Sequence, residues 1–238
     1  AQKVNFPFYI ARRYLFAKKS HNVINVISAI SVAGIMLASF ALICTLSVFN
    51  GFHQLVESLF RDFDPEIKVV SAQRKFFSMD DERIKKAQQL DFIDVSSFSL
   101  EEQALISYKS KQQIAMIKGV DDSFHELTGI ENLLRGNGIF MLEDNVCHYA
   151  IMGVGLMNRM DCGMKPAYPL HLYVPKKDGR VSTVNPAASF NQASIYSPGV
   201  VFCVEQEKYD DNYVLISLDL AQQLTDRPNE ASALEITT

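Results

Sequence analysis

The stretch Val23 to Phe49 (VINVISAISVAGIMLASFALICTLSVF) is 27 largely apolar residues, and no Asp, Glu, Lys or Arg occurs between Lys19 and Glu57. As a helix it would extend about 40 Å at 1.5 Å per residue, against a hydrocarbon core of roughly 30 Å. A secretory h-region is only about 7–15 residues, and no small-residue cleavage pattern follows this one. The reading is a transmembrane helix.

Charge sets the expected orientation. Residues 1–22 carry Lys3, Arg12, Arg13, Lys18 and Lys19 and no carboxylate. Cytoplasmic flanks are rich in Lys and Arg, so the N-terminus is expected in the cytoplasm and everything beyond the span outside it. The remainder has 18 Lys and Arg against 27 Asp and Glu, a net charge of −9. Such a surface suits neither nucleic acid nor anionic headgroups. Phe6 to Phe16 mixes aromatic residues with Arg12 and Arg13, as headgroup-level sequence does.

Within the span, Gly34, Ala38, Ala41 and Thr45 share one helical face, with Ser31 close to it. Small residues there allow a second helix to approach, so this is the expected helix-packing face. Beyond Asn50-Gly51, a candidate hinge, Phe52, Leu55, Val56, Leu59, Phe60 and Phe63 recur with helical spacing while His53, Gln54, Glu57, Ser58, Arg61 and Asp62 fill the other side. That pattern predicts an amphipathic stalk helix, stopped by Asp64-Pro65, whose apolar side is available to lipid. The expected organisation is a basic segment 1–22, a membrane helix 23–51, a stalk 52–64 and an outer domain 65–238.

From Glu66 the pattern is mixed α+β. Strands are expected at Ile67–Val70, Ser96–Tyr108, Lys111–Val120, Tyr149–Met152, Leu170–Val174, Gly199–Glu205 and Tyr213–Ser217, with a further one starting at Ala233. Ser78 and Asp81 suggest a capping box opening a helix to about Leu90. Short helices are expected at Asp121–Leu127, after Gly153-Val154-Gly155, and at Asp219–Leu224. Lys176–Pro198 is polar, turn-prone and long for a loop. Its apolar points Val181, Val184, Phe190 and Ile195 make it a candidate partner loop, although its composition fits disorder equally.

Catalytic signatures are sparse. The chain has no P-loop, and Gly153-x-Gly155 lacks the third glycine of a dinucleotide fingerprint. Cys147, His148, Cys162 and His171 match no standard metal spacing. Acidic pairs such as Asp80-Asp81, Glu101-Glu102, Asp121-Asp122 and Asp210-Asp211 read as solvated turns. Cys44 lies in the span. Three cysteines outside it cannot all pair, so Cys147, Cys162 and Cys203 form no disulfide framework. One Cys147–Cys162 bridge remains open in an oxidising compartment, with buried free thiols the favoured reading. The chain is expected to be non-catalytic and to bind no cofactor or metal.

Several stretches, in order, resemble one family. Phe8-Tyr9-Ile10-Ala11-Arg12-Arg13-Tyr14 and Leu46-Ser47-Val48-Phe49-Asn50-Gly51-Phe52 resemble the first helix of lipoprotein-releasing ABC-transporter permeases of the FtsX-like and MacB-type superfamily. Gly119-Val120-Asp121, Ile151-Met152-Gly153-Val154-Gly155-Leu156 and the run from Tyr209 to Leu224 resemble later motifs of the same family. The resemblance implies the N-terminal portion of a four-helix permease, with an extracytoplasmic domain made of a porter-like α+β part and a β-rich sabre-like part. It implies an inner-membrane location and assembly with a second permease subunit. ATP would be hydrolysed by a separate partner ATPase. It also implies a lipoprotein substrate and, in one branch, a periplasmic chaperone captured by a loop at the position of Lys176–Pro198. The competing readings are an efflux permease, a cell-wall-hydrolase regulator of the same superfamily, and a single-span binding or sensor module.

Overall fold

The computed structural model describes residues 6–15, 22–61, 63, 65–90, 93–144, 146–177 and 189–237. The chain divides into two compact units, Ala1–Val56 and Glu57–Thr238. The first unit holds α1 (Phe6–Leu15) and most of α2 (Asn22–Arg61), which is one unbroken helix through Asn50-Gly51. Leu, Ile and Val are the commonest apolar residues of α2, and no proline interrupts it. Pro65, which biases its predecessor away from helical angles, follows soon after its end.

The second unit begins its regular structure with β1 (Ile67–Val70), β2 (Phe77–Ser78) and α3 (Glu82–Gln88). Asp81, not Ser78, is the N-cap of α3: its carboxylate accepts the Arg83 N–H at 2.9 Å. The Ser78 hydroxyl instead accepts the Asp80 N–H, and the helix starts later than a Ser78 cap implies.

Next come β3 (Val95–Tyr108) and β4 (Lys111–Val120), a long antiparallel hairpin turned at Lys109-Ser110. Lys109 takes the left-handed conformation such a tight turn requires (φ 53°). Then follow α4 (Phe124–Leu127), α5 (Ile130–Leu133), β5 (Leu134–Gly136), β6 (Ile151–Met152), α6 (Val154–Met160), β7 (Leu170–Pro175), β8 (Phe190–Ile195) and β9 (Val200–Phe202). The chain continues through α7 (Glu207–Asp210), β10 (Tyr213–Ser217), α8 (Leu218–Thr225), β11 (Glu230–Ala231) and β12 (Ala233–Thr237).

The main sheet runs β1-β12-β3-β4-β10-β6, with β7 and then β8 added beside the far half of β3. β3 pairs with β12 along Val95–Ser99 and with β7 along Leu105–Ser107, so one long strand serves both parts of the sheet. Only β10 against β4 is parallel among the described pairings in this sheet.

Two hydrophobic cores cover the sheet. Val214 and Ile216 enter one, with Ile106, Ile117, Leu172 and the α8 residues Ala221 and Leu224. Leu215 enters the other, with Phe63, Phe124, Phe202 and Tyr209. Successive strand side chains point to opposite faces, which is why β10 is apolar without alternation.

Candidate functional site

From Val26 to Val56 the α2 helix is long and apolar enough to cross a membrane, and none of that window is buried within the protein. Leu37, Met36 and Phe40 are each about two-thirds exposed (66%, 65% and 65%). Each such side chain left in water forgoes about 1.5–3 kcal/mol relative to burial, a deficit that a hydrocarbon environment removes. The helix also satisfies its own hydroxyls: Ser31 donates to the Ile27 carbonyl at 3.0 Å and Thr45 to that of Ala41 at 2.8 Å. Such back-bonding suits a solvent that offers no partners.

The small face of α2 is open. Among the described residues, nothing lies within 4 Å of a Cβ built at Gly34, and Ala38, Ala41 and Thr45 are exposed along the same side. Beside them, Cys44, Val48, Phe49 and Phe52 frame a shallow apolar depression of about 490 Å³.

Of the residues expected to line the stalk, Phe52 and Leu55 are exposed and Val56 is half-buried, while the side chains of Leu59 and Phe60 lie outside the described residues. Phe63 corrects the expectation of a lipid-facing side chain: it is only 1% exposed. Its helical spacing from Phe52 continues past the end of α2, and the ring turns instead into the outer domain's core. There it lies 4.6 Å from Tyr209, 5.2 Å from Phe202 and 5.9 Å from Tyr213, ring centre to ring centre.

Behind this aromatic cluster lies a buried ion pair. Lys118 Nζ is 3.0 Å from Glu235 Oε1, with side-chain exposures of 1% and 0%. Ser99 donates to the same oxygen at 2.7 Å. The ammonium also faces the rings of Phe124 at 4.8 Å and Phe63 at 5.3 Å, so cation–π attraction replaces part of its lost hydration. Nearer the surface, Lys68 reaches Glu101 at 2.7 Å. Burial alone would raise the Glu101 carboxyl. The Lys68 hydrogen bond and charge, helped by Lys118 and Tyr213, outweigh it and hold the pKa below its ordinary value.

Sequence reading passed over Lys118 and Glu235. The available signal was one lysine inside the apolar run of β4 and one glutamate inside that of β12, opposite charges each flanked by buried apolar residues.

The loop expected at Lys176–Pro198 is shorter than the composition suggests, because residues 190–195 form β8, paired with β7 from Leu170↔Ile195 to Pro175↔Phe190. Asn191, Gln192 and Ser194 look loop-like, yet they suit a strand bonded on only one edge. Ile195 is fully buried in the first core and offers nothing to a partner, a correction forced by its inward position opposite Leu170. Phe190 is half-buried; Val181 and Val184 lie outside the described residues.

Several quoted motifs carry structural tasks. A Cβ at Gly119 would collide with Ala221 of α8, so glycine permits close strand–helix approach. Asp121 accepts from the Ser97 hydroxyl at 2.6 Å and from the N–H groups of Phe98 and Ser123 at 2.8 and 3.1 Å, fastening the end of β4 to β3. Gly153 leaves room for the Asp210 backbone, whose carboxylate accepts the Val204 N–H at 2.7 Å. Ser217 caps α8.

The four cysteines are free thiols. Burial raises the pKa of Cys162 above its ordinary value. His171 is engaged with Ser194 at 3.1 Å. Among the described residues, no group of three His, Cys, Asp or Glu side chains converges as metal ligands.

A membrane-length apolar helix joined to a sheet with two opposed cores defines an anchored α+β domain protein. The chain belongs to the MacB-like periplasmic core domain family, whose model matches residues 28–232. It is 24% identical over 242 residues to the lipoprotein-releasing system transmembrane protein LolE of Haemophilus influenzae. That alignment covers 98% of this chain and 55% of LolE, so the chain spans about half the length of this relative. Among solved structures, the extracellular domain of the noncanonic ABC-type transporter YknZ from Gram-positive bacteria matches at 11% identity and a TM-score of 0.45, over 70% of this chain and 75% of that one. The periplasmic region of MacB from Actinobacillus actinomycetemcomitans matches at 10% identity and a TM-score of 0.45, over 70% of this chain and 67% of that one. The sequence thus places the chain in the FtsX-like and MacB-type permease superfamily.

Proposed function

We propose that this chain is part of a non-catalytic permease subunit of an ABC transporter, and that the transporter releases lipoproteins from the inner membrane. The observation that carries this reading is the alignment with LolE, which continues through both the apolar helix and the outer domain over 98% of the chain. On this reading the N-terminus is cytoplasmic, the domain after α2 is extracytoplasmic, and ATP is hydrolysed by a separate partner ATPase. Gly34, Ala38, Ala41 and Thr45 pack against helices of the permease assembly, including those of a second permease subunit. Phe52 and Leu55, with Leu59 and Phe60, meet lipid or the cargo's acyl chains.

α2 is unbroken to Arg61, and two residues later Phe63 is locked among Phe202, Tyr209 and Tyr213. Val181, Val184 and Phe190 remain the proposed contacts for a periplasmic lipoprotein chaperone.

Depletion of the protein, followed by separation of inner and outer membranes, tests the reading. Release predicts lipoproteins accumulating in the inner membrane. An unchanged distribution overturns it.

A further inference from the structure

The far half of the main sheet carries the first core on one face. Ile106, Leu172 and Val174 turn into that core, and α8 packs there against β3, β7 and β8. The residues between them point the other way. On that second face Ile114, Leu105, Tyr173 and Gln192 stand side by side across β4, β3, β7 and β8. Gln112, Ser107, His171 and Ser194 form the next row, and Met116 stands beside Gln103 on the other side. Ile114 is 68% exposed, and Leu105, Met116 and Tyr173 are half-buried. Among the described residues, these four belong to neither core.

The solvated face of an antiparallel sheet is ordinarily polar, whereas an apolar centre rimmed by polar groups marks a contact surface. Charge selects its occupant. The chain beyond residue 22 has a net charge of −9, yet no Asp, Glu, Lys or Arg stands in these rows. Two copies of so acidic a domain repel across most surfaces they could share. A two-fold contact also brings residues near the axis against their own counterparts, so a charge there meets its like. This face presents none. Gln103, Gln112 and Gln192 each carry an amide donor and an acceptor, so each can pair with its own kind. Three alternating positions on four strands span roughly 14 Å in each direction, about 200 Å², against about 800 Å² per partner in a standard interface. A contact that small is weak in solution and gains from two chains being held in one membrane at high local concentration.

We propose that this uncharged face is a self-complementary, exchanging contact between the outer domains of two copies of the chain. Ile114, Leu105 and Tyr173 form its apolar centre, and the glutamine amides close its rim. The inference uses the outer domain's own sheet and not the transported cargo. Lipoprotein release and self-contact can therefore fail separately.

Two differently tagged copies of the full chain, expressed in one cell, test the contact in the membrane. In one copy Tyr173 is replaced by the photoreactive p-benzoylphenylalanine, which keeps a ring at that position. Illumination is expected to join the two tags, with the crosslink mapping to β3, β4, β7 or β8 of the other copy. Ile114→Asp in both copies should lower that yield about tenfold by setting like charges face to face. Ile114 is largely exposed, so this variant keeps the fold; Gln112→Glu, also at an exposed position, provides a second reading. Crosslinks confined to a different polypeptide, or mapping elsewhere on the second copy, overturn the inference. So does the absence of any crosslink, and so does a yield that neither Ile114→Asp nor Gln112→Glu lowers.

Discussion

The rings of Phe63 and Tyr209 sit 4.6 Å apart at an angle of 42°, fixing the chain just beyond the long helix to the segment leading into β10. Removing the Phe63 ring should therefore act as a core deletion. Phe63→Ala is expected to cost about 3–5 kcal/mol, read by denaturant unfolding of the full chain in detergent. Tyr209→Phe, which keeps the ring, should cost far less. A Phe63→Ala variant as stable as the parent would show that the ring does not anchor the segment.

The Lys118–Glu235 pair gives a second expectation. Removing one partner leaves the other charged and buried, which typically costs about 3–5 kcal/mol. Lys118→Met should show a loss of that size, and Lys118→Met with Glu235→Gln should recover much of it. A double variant as unstable as the sum of the singles would mean that the pair is not coupled.

Acid should weaken the outer domain through Glu101. Its carboxyl is held below its ordinary 4.5 in the folded protein, so the unfolded state binds its proton first as pH falls. The stabilisation is complete above about pH 4.5 and is lost as pH drops through the folded value. Lys68→Gln should flatten the slope of stability against pH below 4.5. An unaltered slope would show that Lys68 does not set this carboxyl.

Two glycines should respond differently. Gly119→Val places side-chain atoms against Ala221 and should destabilise the fold by about 1–3 kcal/mol or more. Gly34→Leu meets open space in this chain, so unfolding should be unchanged while association with partner helices, read by co-purification, is lost. Normal assembly of Gly34→Leu would contradict a packing role for that face.

Much of this was legible in sequence because the signals were local. Ile67–Val70, Lys111–Val120 and Tyr213–Ser217 have strand bounds that follow from their apolar runs and turns. The charge-free helix was plainer still. What escaped depends on tertiary context. Phe190–Ile195 is polar because β8 pairs on one edge only, and composition reports that as loop. Phe63 keeps the helical period of Phe52 and Leu55, but the helix has ended before it. Lys118 and Glu235 lie 117 residues apart, and only the sheet brings them together. The pairing of β5 with β9 likewise joins distant short strands that no local pattern marks.

Lipoprotein release requires the N-terminus in the cytoplasm and the domain after α2 on the other side of the membrane. Single cysteines at Phe8 and at Ile114, an exposed position on β4, introduced after replacing the four native cysteines, can be challenged with a membrane-impermeant maleimide. The account predicts labelling of Ile114→Cys in spheroplasts with an intact inner membrane, and of Phe8→Cys only after lysis. Labelling of Phe8→Cys in intact spheroplasts, with Ile114→Cys protected until lysis, would contradict it.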